Sequence, residues 1–182
     1  MLTNSRIARQ ATEHSGVTSY RLTGDCMASS FLLVGLIADT HGLMRPEALD
    51  SLRKSDLIIH AGDIGNPAVL ETLQRLAPVH AIRGNNDQGA WTRALPDRDT
   101  LKAGVHTIYV LHNLAELALD PAASGFSVVI SGHSHKPALK TLNNVLYVNP
   151  GSAGPRRFTL PVTVGTLALW SDRCEASIIQ LM

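Results

Sequence analysis

The sequence predicts an α/β domain, a sandwich of two mixed β-sheets flanked by helices. Three patterns predict it. Between residues 31 and 87, apolar runs of strand length alternate with short helical patterns. From residue 105 onward the chain changes to strand-like runs joined by short turns. No internal repeat or linker divides the chain after residue 31.

FLLVGLIA (31–38) is a continuous apolar run of the kind buried on both faces of a sheet. Residues 46–54 read as a short helix with Pro46 in its first turn, and DLIIHAGD (56–63) as the second strand. Residues 67–76 carry apolar side chains at 69, 70, 73 and 76, which is helical spacing. PVHAIRGNND (78–87) is a third strand with a polar tip. This βαβαβ order implies parallel strands with right-handed crossovers. VHTIYVLHN (105–113), FSVVISGHSH (126–135), TLNNVLYVNPGS (141–152), TLPVTVGTLALW (159–170) and SDRCEASIIQLM (171–182) supply the remaining strands, with Asn143-Asn144 as a hairpin turn.

The bulk properties exclude several function classes. At 182 residues, 45% hydrophobic and 17% charged, the chain can bury one sizeable core. A net charge of +1 without basic runs gives no strong signal for nucleic acid or membrane. Cys26 and Cys174 lie far apart, so neither a disulfide framework nor a cysteine zinc site is indicated and a cytoplasmic setting is expected. Residues 1–30 hold no stretch of signal-peptide length and no helical period. They are expected to form an N-terminal extension, disordered or the product of an over-long gene start, with Met27 as a natural chain start and residues 31–182 as the domain. The mass of the natively expressed chain decides this.

The polar residues cluster at the strand ends: Asp39-x-His41, Gly62-Asp63, Gly84-Asn85-Asn86-Asp87, His112-Asn113 and Gly132-His133-Ser134-His135. In open α/β sheets, ligands sit beyond the carboxyl ends of strands, so these tips should converge in space. Each motif alone is an ordinary turn. Together they supply carboxylates, imidazoles and an amide, which are metal ligands by chemical type. In an extended GHSH segment, both histidines would project to the same side.

DTHG (39–42), GD (62–63), RGNND (83–87), His112, GHSH (132–135) and NPGS (149–152) are similar to the motifs of the calcineurin-like metallophosphoesterase superfamily, in particular its YfcE/Vps29-type phosphodiesterase branch. The resemblance covers residues 31 to about 157 and implies an αββα sandwich with a dinuclear metal site at one edge. It implies that Asp39, His41 and His135 hold one metal, that Asn85, His112 and His133 hold the other, and that Asp63 bridges them, with Asp63, Asn85 and His112 acting in catalysis. The implied cofactors are two divalent transition-metal ions, manganese first, with nickel, iron or zinc as alternatives. The implied activity is hydrolysis of a small phosphate ester, a phosphodiester above all, by a hydroxide between the ions. A phosphomonoesterase and a protein-binding scaffold with weak or no activity are the alternatives, and a homo-oligomer is left open.

Two departures stand out. Asn86 occupies the place where many superfamily members carry a proton-donating histidine, and an amide cannot act as a general acid. Asn113 stands where the branch usually continues with glycine; it is open to a phosphate contact or a plain turn role. Of the other polar residues, His60 is expected in the core behind the site, and His80 and His106 on strand surfaces. His14 falls in the extension. Arg83 is expected to brace a carboxylate, Asp87 to orient a neighbour, and Arg156 and Arg157 to pin the loop after NPGS. Trp91 and Trp170 are expected at the core or its rim.

Overall fold

The computed structural model describes residues 8–14, 17–23 and 31–182. The first β-α units follow the sequence closely: β3 (Leu32–Ile37), α1 (Pro46–Leu52), β4 (Leu57–Ala61), α2 (Pro67–Gln74) and β5 (Val79–Ile82), after β1 (Ala8–His14) and β2 (Val17–Thr23). The chain then runs through β6 (Arg98–Ala103), β7 (His106–Leu111), β8 (Val128–Ile130), β9 (Ala138–Leu142), β10 (Val145–Asn149), β11 (Thr163–Leu169) and β12 (Cys174–Gln180). The strand pair β1–β2 falls within the expected extension and continues a sheet edge through β6, whereas residues 24–30 and His14's side chain lie outside what is described.

One sheet has the order β12-β11-β3-β4-β5, the other β1-β2-β6-β7-β8-β10-β9. Both are mixed. β3, β4 and β5 run parallel while β11 pairs antiparallel with β3; in the second sheet β7, β8 and β10 are parallel, and β6 and β9 run antiparallel beside them. Alternate residues of the two sheets fill the space between them, including Val34, Leu36, Ile59, Ile108, Val110, Val128 and Ile130. The opposite face of the five-stranded sheet buries Ile37, Ile58 and Val164 against Leu52 of α1 and Val69 and Leu73 of α2. β3 and β4 therefore read as unbroken apolar runs because both their faces are covered. The outer face of the seven-stranded sheet buries Tyr109, Leu111 and Val129 beneath Leu117, Leu119 and Phe126 of the β7–β8 connection, whose only helical piece is a single turn at Leu114–Glu116.

Asn143 and Asn144 both take left-handed backbone (φ 50° and 63°), as a two-residue turn between twisted strands requires, and the hairpin forms where the sequence places it. β6 was not expected. Its sequence, RDTLKA, buries only Leu101 and Ala103 fully and shows too little apolar content to be read as a strand. Its presence changes the environment of two histidines expected on strand surfaces. His80 is buried against Asp99 of β6, with Nε2 3.3 Å from Oδ2, and His106 is buried with Nε2 donating to Trp170 O at 2.7 Å. Trp170 packs in a tilted arrangement on Phe31, with ring centroids 5.0 Å apart, and Trp91 packs at the edge of the helical core, both at the rim as expected.

Helix α1 can lie close on β3 because residue 35 lacks a side chain. A Cβ on Gly35 would stand 2.6 Å from Ser55 Oγ and 2.7 Å from Leu52 Cδ2. Gly35→Val is therefore expected to lower stability by about 1–3 kcal/mol through overpacking. An unchanged urea midpoint would show that α1 is free to move away.

Candidate metal centre

Parallel β3, β4 and β5 end side by side, and so do β7 and β8 in the facing sheet. Their tips meet at one edge of the sandwich. The backbone at these tips is unusual in a consistent way. Asp39, His41, Asp63, His133 and His135 all have positive φ, between 47° and 66°. A left-handed conformation costs a non-glycine residue about 1–2 kcal/mol, and such strain clusters where a site needs it. Here it turns each side chain out of the strand direction and into a common space.

Two groups of potential ligands result: Asp39, His41 and His135, and Asp39, Asp63 and His112, each with its ligand atoms within 4.8 Å of one another. Asp39 belongs to both by distance. Asp63 faces both sides with different oxygens, Oδ1 lying 3.4 Å from His112 Nε2 and Oδ2 3.9 Å from His41 Nε2. Asp39 Oδ1 lies 3.6 Å from His135 Nε2 and also accepts the backbone N–H of His133 at 3.2 Å. Asn85 and His133 stand alongside. They join each other through Asn85 Oδ1 and His133 Nδ1 at 3.0 Å, and the His133 ring meets that of His112 edge-on at 5.2 Å. All seven residues expected from the sequence are thus gathered at this edge. The two histidines of GHSH do not project to one side, however. Residues 132–135 are not extended; His135 is buried beside Asp39 while His133 is exposed beside Asn85.

The donor chemistry fits cations. Ala61 O can only accept, so His112 Nδ1 donates to it at 2.7 Å, and in the neutral ring Nε2 would carry a bare lone pair. That lone pair points at the Asp63 carboxylate. Two acceptors facing each other repel unless a proton or a metal ion stands between them. His112 Nε2, Asp39 Oδ2 and His135 Nδ1 are buried without a hydrogen-bond partner, half of the six such atoms among the described residues. Orphaned groups of this kind cost about 1–3 kcal/mol each, and divalent ions coordinated by His112 Nε2 and by Asp39 Oδ2 would satisfy two of them.

The electrostatics of the metal-free site agree. Burial, reinforced by the neighbouring Asp63 charge and opposed by His112, lifts the Asp39 carboxyl to about 7. Burial also opposes ionisation of Asp63, but the adjacent His112 imidazole and two hydrogen bonds from Asn86 outweigh it and hold that carboxyl well below its ordinary value. Burial and the nearby Arg157 guanidinium push His135 down to about 4, and burial pushes His41 down as well. For His112, burial is outweighed by Asp63 and the Ala61 carbonyl, so its value rises and a proton competes with a cation for the place between Nε2 and Asp63. Neutral His41 and His135 are in the state that metal binding requires.

A supporting layer holds these groups. Asp87 accepts the backbone N–H groups of Ile64 at 3.1 Å, Gly65 at 2.7 Å and Gly84 at 2.8 Å, clamping the β4 and β5 tips together. Thr40 donates its hydroxyl to Ile64 O and accepts from His60 Nε2, both at 2.9 Å. His60 is fully buried, its value pushed to about 3 by burial and His112; it is a neutral strut, as expected. In NPGS, Asn149 donates to Gly132 O at 2.7 Å and Ser152 Oγ to Asp39 O at 2.9 Å, so this motif fixes two ligand loops. Those two roles were not read from the sequence, although the strand-end position of NPGS was a signal. Asn113 accepts from Ala115 N at 3.1 Å, a turn role. Arg83 pairs with Asp97, as expected of a brace. Arg157 differs from its expected loop-pinning role: its Nη2 lies 3.3 Å from His41 Nε2, over the site.

The profile of the calcineurin-like phosphoesterase superfamily domain matches residues 32–172. The chain belongs to this superfamily. A probable metallophosphoesterase of Methanothermobacter thermautotrophicus is 34% identical over 160 residues, covering 82% of this chain and 92% of the relative. Among solved structures, an archaeal phosphodiesterase superposes with a TM-score of 0.68 at 22% identity, covering 81% of this chain and 100% of that one. The Entamoeba histolytica Vps29 complexed with zinc superposes with a TM-score of 0.63 at 21% identity, over 83% and 100% of the two chains. Both structural likenesses establish the shared fold. Among the described residues, no helix is long and apolar enough to cross a membrane.

Gly84 lets the third strand tip pass the second. A Cβ there would lie 2.2 Å from both the backbone N and Oδ1 of Asp63. Gly84→Ala is expected to displace that carboxylate and weaken metal binding by about 10–100-fold, as loss of a supporting group does. Titration calorimetry of the chelator-stripped variant checks this, and wild-type affinity would rule out the close approach.

Proposed function

We propose that the protein is a dinuclear metal-dependent phosphodiesterase. In this reading Asp39, His41 and His135 hold one ion, Asn85, His112 and His133 the other, and Asp63 lies between them. The observation that carries it is the Asp63 carboxylate, whose Oδ1 lies 3.4 Å from His112 Nε2 while Oδ2 lies 3.9 Å from His41 Nε2. Two divalent ions would supply Lewis acidity for the phosphate oxygens and a water ionised near neutral pH. Family membership and the metallophosphoesterase relative support the same chemistry. We place the domain at residues 31–182, since the superfamily match begins at residue 32.

The chain's own residues then have distinct tasks. Arg157, with its guanidinium beside His41, is placed to hold a non-bridging phosphate oxygen by a charge-assisted hydrogen bond. Asn86 donates from its backbone N–H to Asp63 Oδ1 at 2.8 Å and from its side-chain amide to Oδ2 at 2.6 Å. It positions the carboxylate and cannot protonate a leaving group. Asp87 and His60 keep the loops in place.

The test is hydrolysis of bis(p-nitrophenyl) phosphate and p-nitrophenyl phosphate by stripped protein reloaded with manganese, nickel or zinc. Turnover of the diester is expected, and Asp63→Asn should abolish metal binding and turnover together. No turnover with any metal would favour a scaffold, and preference for the monoester a phosphatase. Without a general acid, rates across a series of aryl diesters should fall steeply as the leaving-group pKa rises. A flat Brønsted plot would reveal a proton donor that Asn86 cannot be.

A further inference from the structure

We propose that an apolar cavity beside His133 is a subsite for a hydrophobic arm of the substrate, an aromatic ring or alkyl chain, with acidic substituents favoured. Its link to catalysis rests on the phosphodiesterase reading above; the cavity itself does not.

The cavity, about 440 Å³, lies between the turn after His112, the GHSH turn and the β9–β10 hairpin. Its walls are Leu114, Leu117, Leu142, Tyr147 and Val148. Leu114 is 43% and Leu142 48% exposed, so two large aliphatic side chains face solvent across a concave surface. Leu117 and Tyr147 pack beneath them on the buried cluster of Tyr109, Leu111, Val129 and Val145, which gives the cavity a fixed floor. The size falls within the range of roughly 300–1,000 Å³ that small-molecule sites occupy.

Two features point to the occupant. The first is continuity with the metal centre. His133 lines the cavity and is also held by Asn85 at 3.0 Å. A phosphate held beside His133 would direct one ester arm toward the cavity. The second is charge. Lys136 and Lys140 line the same cavity, and the ion pairs formed by arginine or lysine among the described residues involve neither of them. A polar sugar arm would set hydroxyl groups against leucine walls and lose their hydration. An apolar arm matches the walls, and an acidic substituent matches the lysines.

Anilinonaphthalene sulfonate, which combines aromatic rings with a fixed negative charge, probes the cavity without requiring catalysis. Fluorescence titration of the full-length, chelator-treated protein should show one saturable site. Leu114→Glu and Leu142→Glu, both at exposed positions that leave the core intact, should each weaken it by about tenfold or more, the equivalent of about 1.4 kcal/mol. Naphthylphosphonate should displace the dye and methylphosphonate should not. In metal-loaded protein, naphthylphosphonate should also inhibit diester hydrolysis more strongly than methylphosphonate, and this difference should shrink in both variants. Equal dye binding by wild type and variants overturns the subsite. So does sedimentation showing that Leu142→Glu converts a dimer to monomers, which would assign the face to a second copy of the chain. Dye binding as expected with no diester turnover keeps the cavity and removes only the catalytic reading.

Discussion

Left-handed backbone at the strand tips is the constraint on which the site depends. An extended strand sends alternate side chains to opposite faces, and neither face points at the end of the sandwich. Turning Asp39, His41, Asp63, His133 and His135 into positive φ aims five polar side chains beyond the sheet edge. The conformational cost falls on the folded chain before any ion binds. It is met by the sheets behind, where Val34, Leu36, Ile59 and Ile130 are fully buried and leave the tips no alternative path. A buried leucine or isoleucine contributes about 1.5–3 kcal/mol, so a handful of such residues offsets the strain of the turns.

The same geometry sets the electrostatics. Asp39 and Asp63 are brought together among imidazoles at a place that water reaches poorly, and burial raises Asp39 to about 7. Asn86, by donating twice to Asp63, keeps one carboxylate charged in spite of its surroundings. The site thus pairs a charged acid with one close to neutral. A divalent ion would invert that balance and draw both into the charged form. The uneven acidity of the two carboxylates has two causes, the exclusion of solvent that raises Asp39 and the His112 and Asn86 contacts that hold Asp63 charged.

Much of this was legible in the sequence because buried parallel strands announce themselves as apolar runs, and the abrupt polar residues that end them mark the tips. Two sheets flanked by helices, the residues gathered at the edge and the Asn143-Asn144 turn all follow from such local patterns. What was hidden depends on contacts distant in the chain. His80 and His106 looked like surface residues until β6 and Trp170 covered them. β6 itself escaped because one face is charged and exposed. Arg157 reads as an ordinary loop arginine until the loop's path carries it to His41, 116 residues away. Asn86 reads as a missing acid, and only the folded backbone shows that its amide is engaged with Asp63.

The central claim is that the strained tips form one site for two cations. Titration of chelator-stripped protein with manganese, followed by calorimetry and electron paramagnetic resonance, tests it most directly. Two ions per chain with a spin-coupled signal are predicted, since two ions sharing a carboxylate lie about 3.5–4 Å apart. A single ion with an uncoupled spectrum, or no binding, would contradict it.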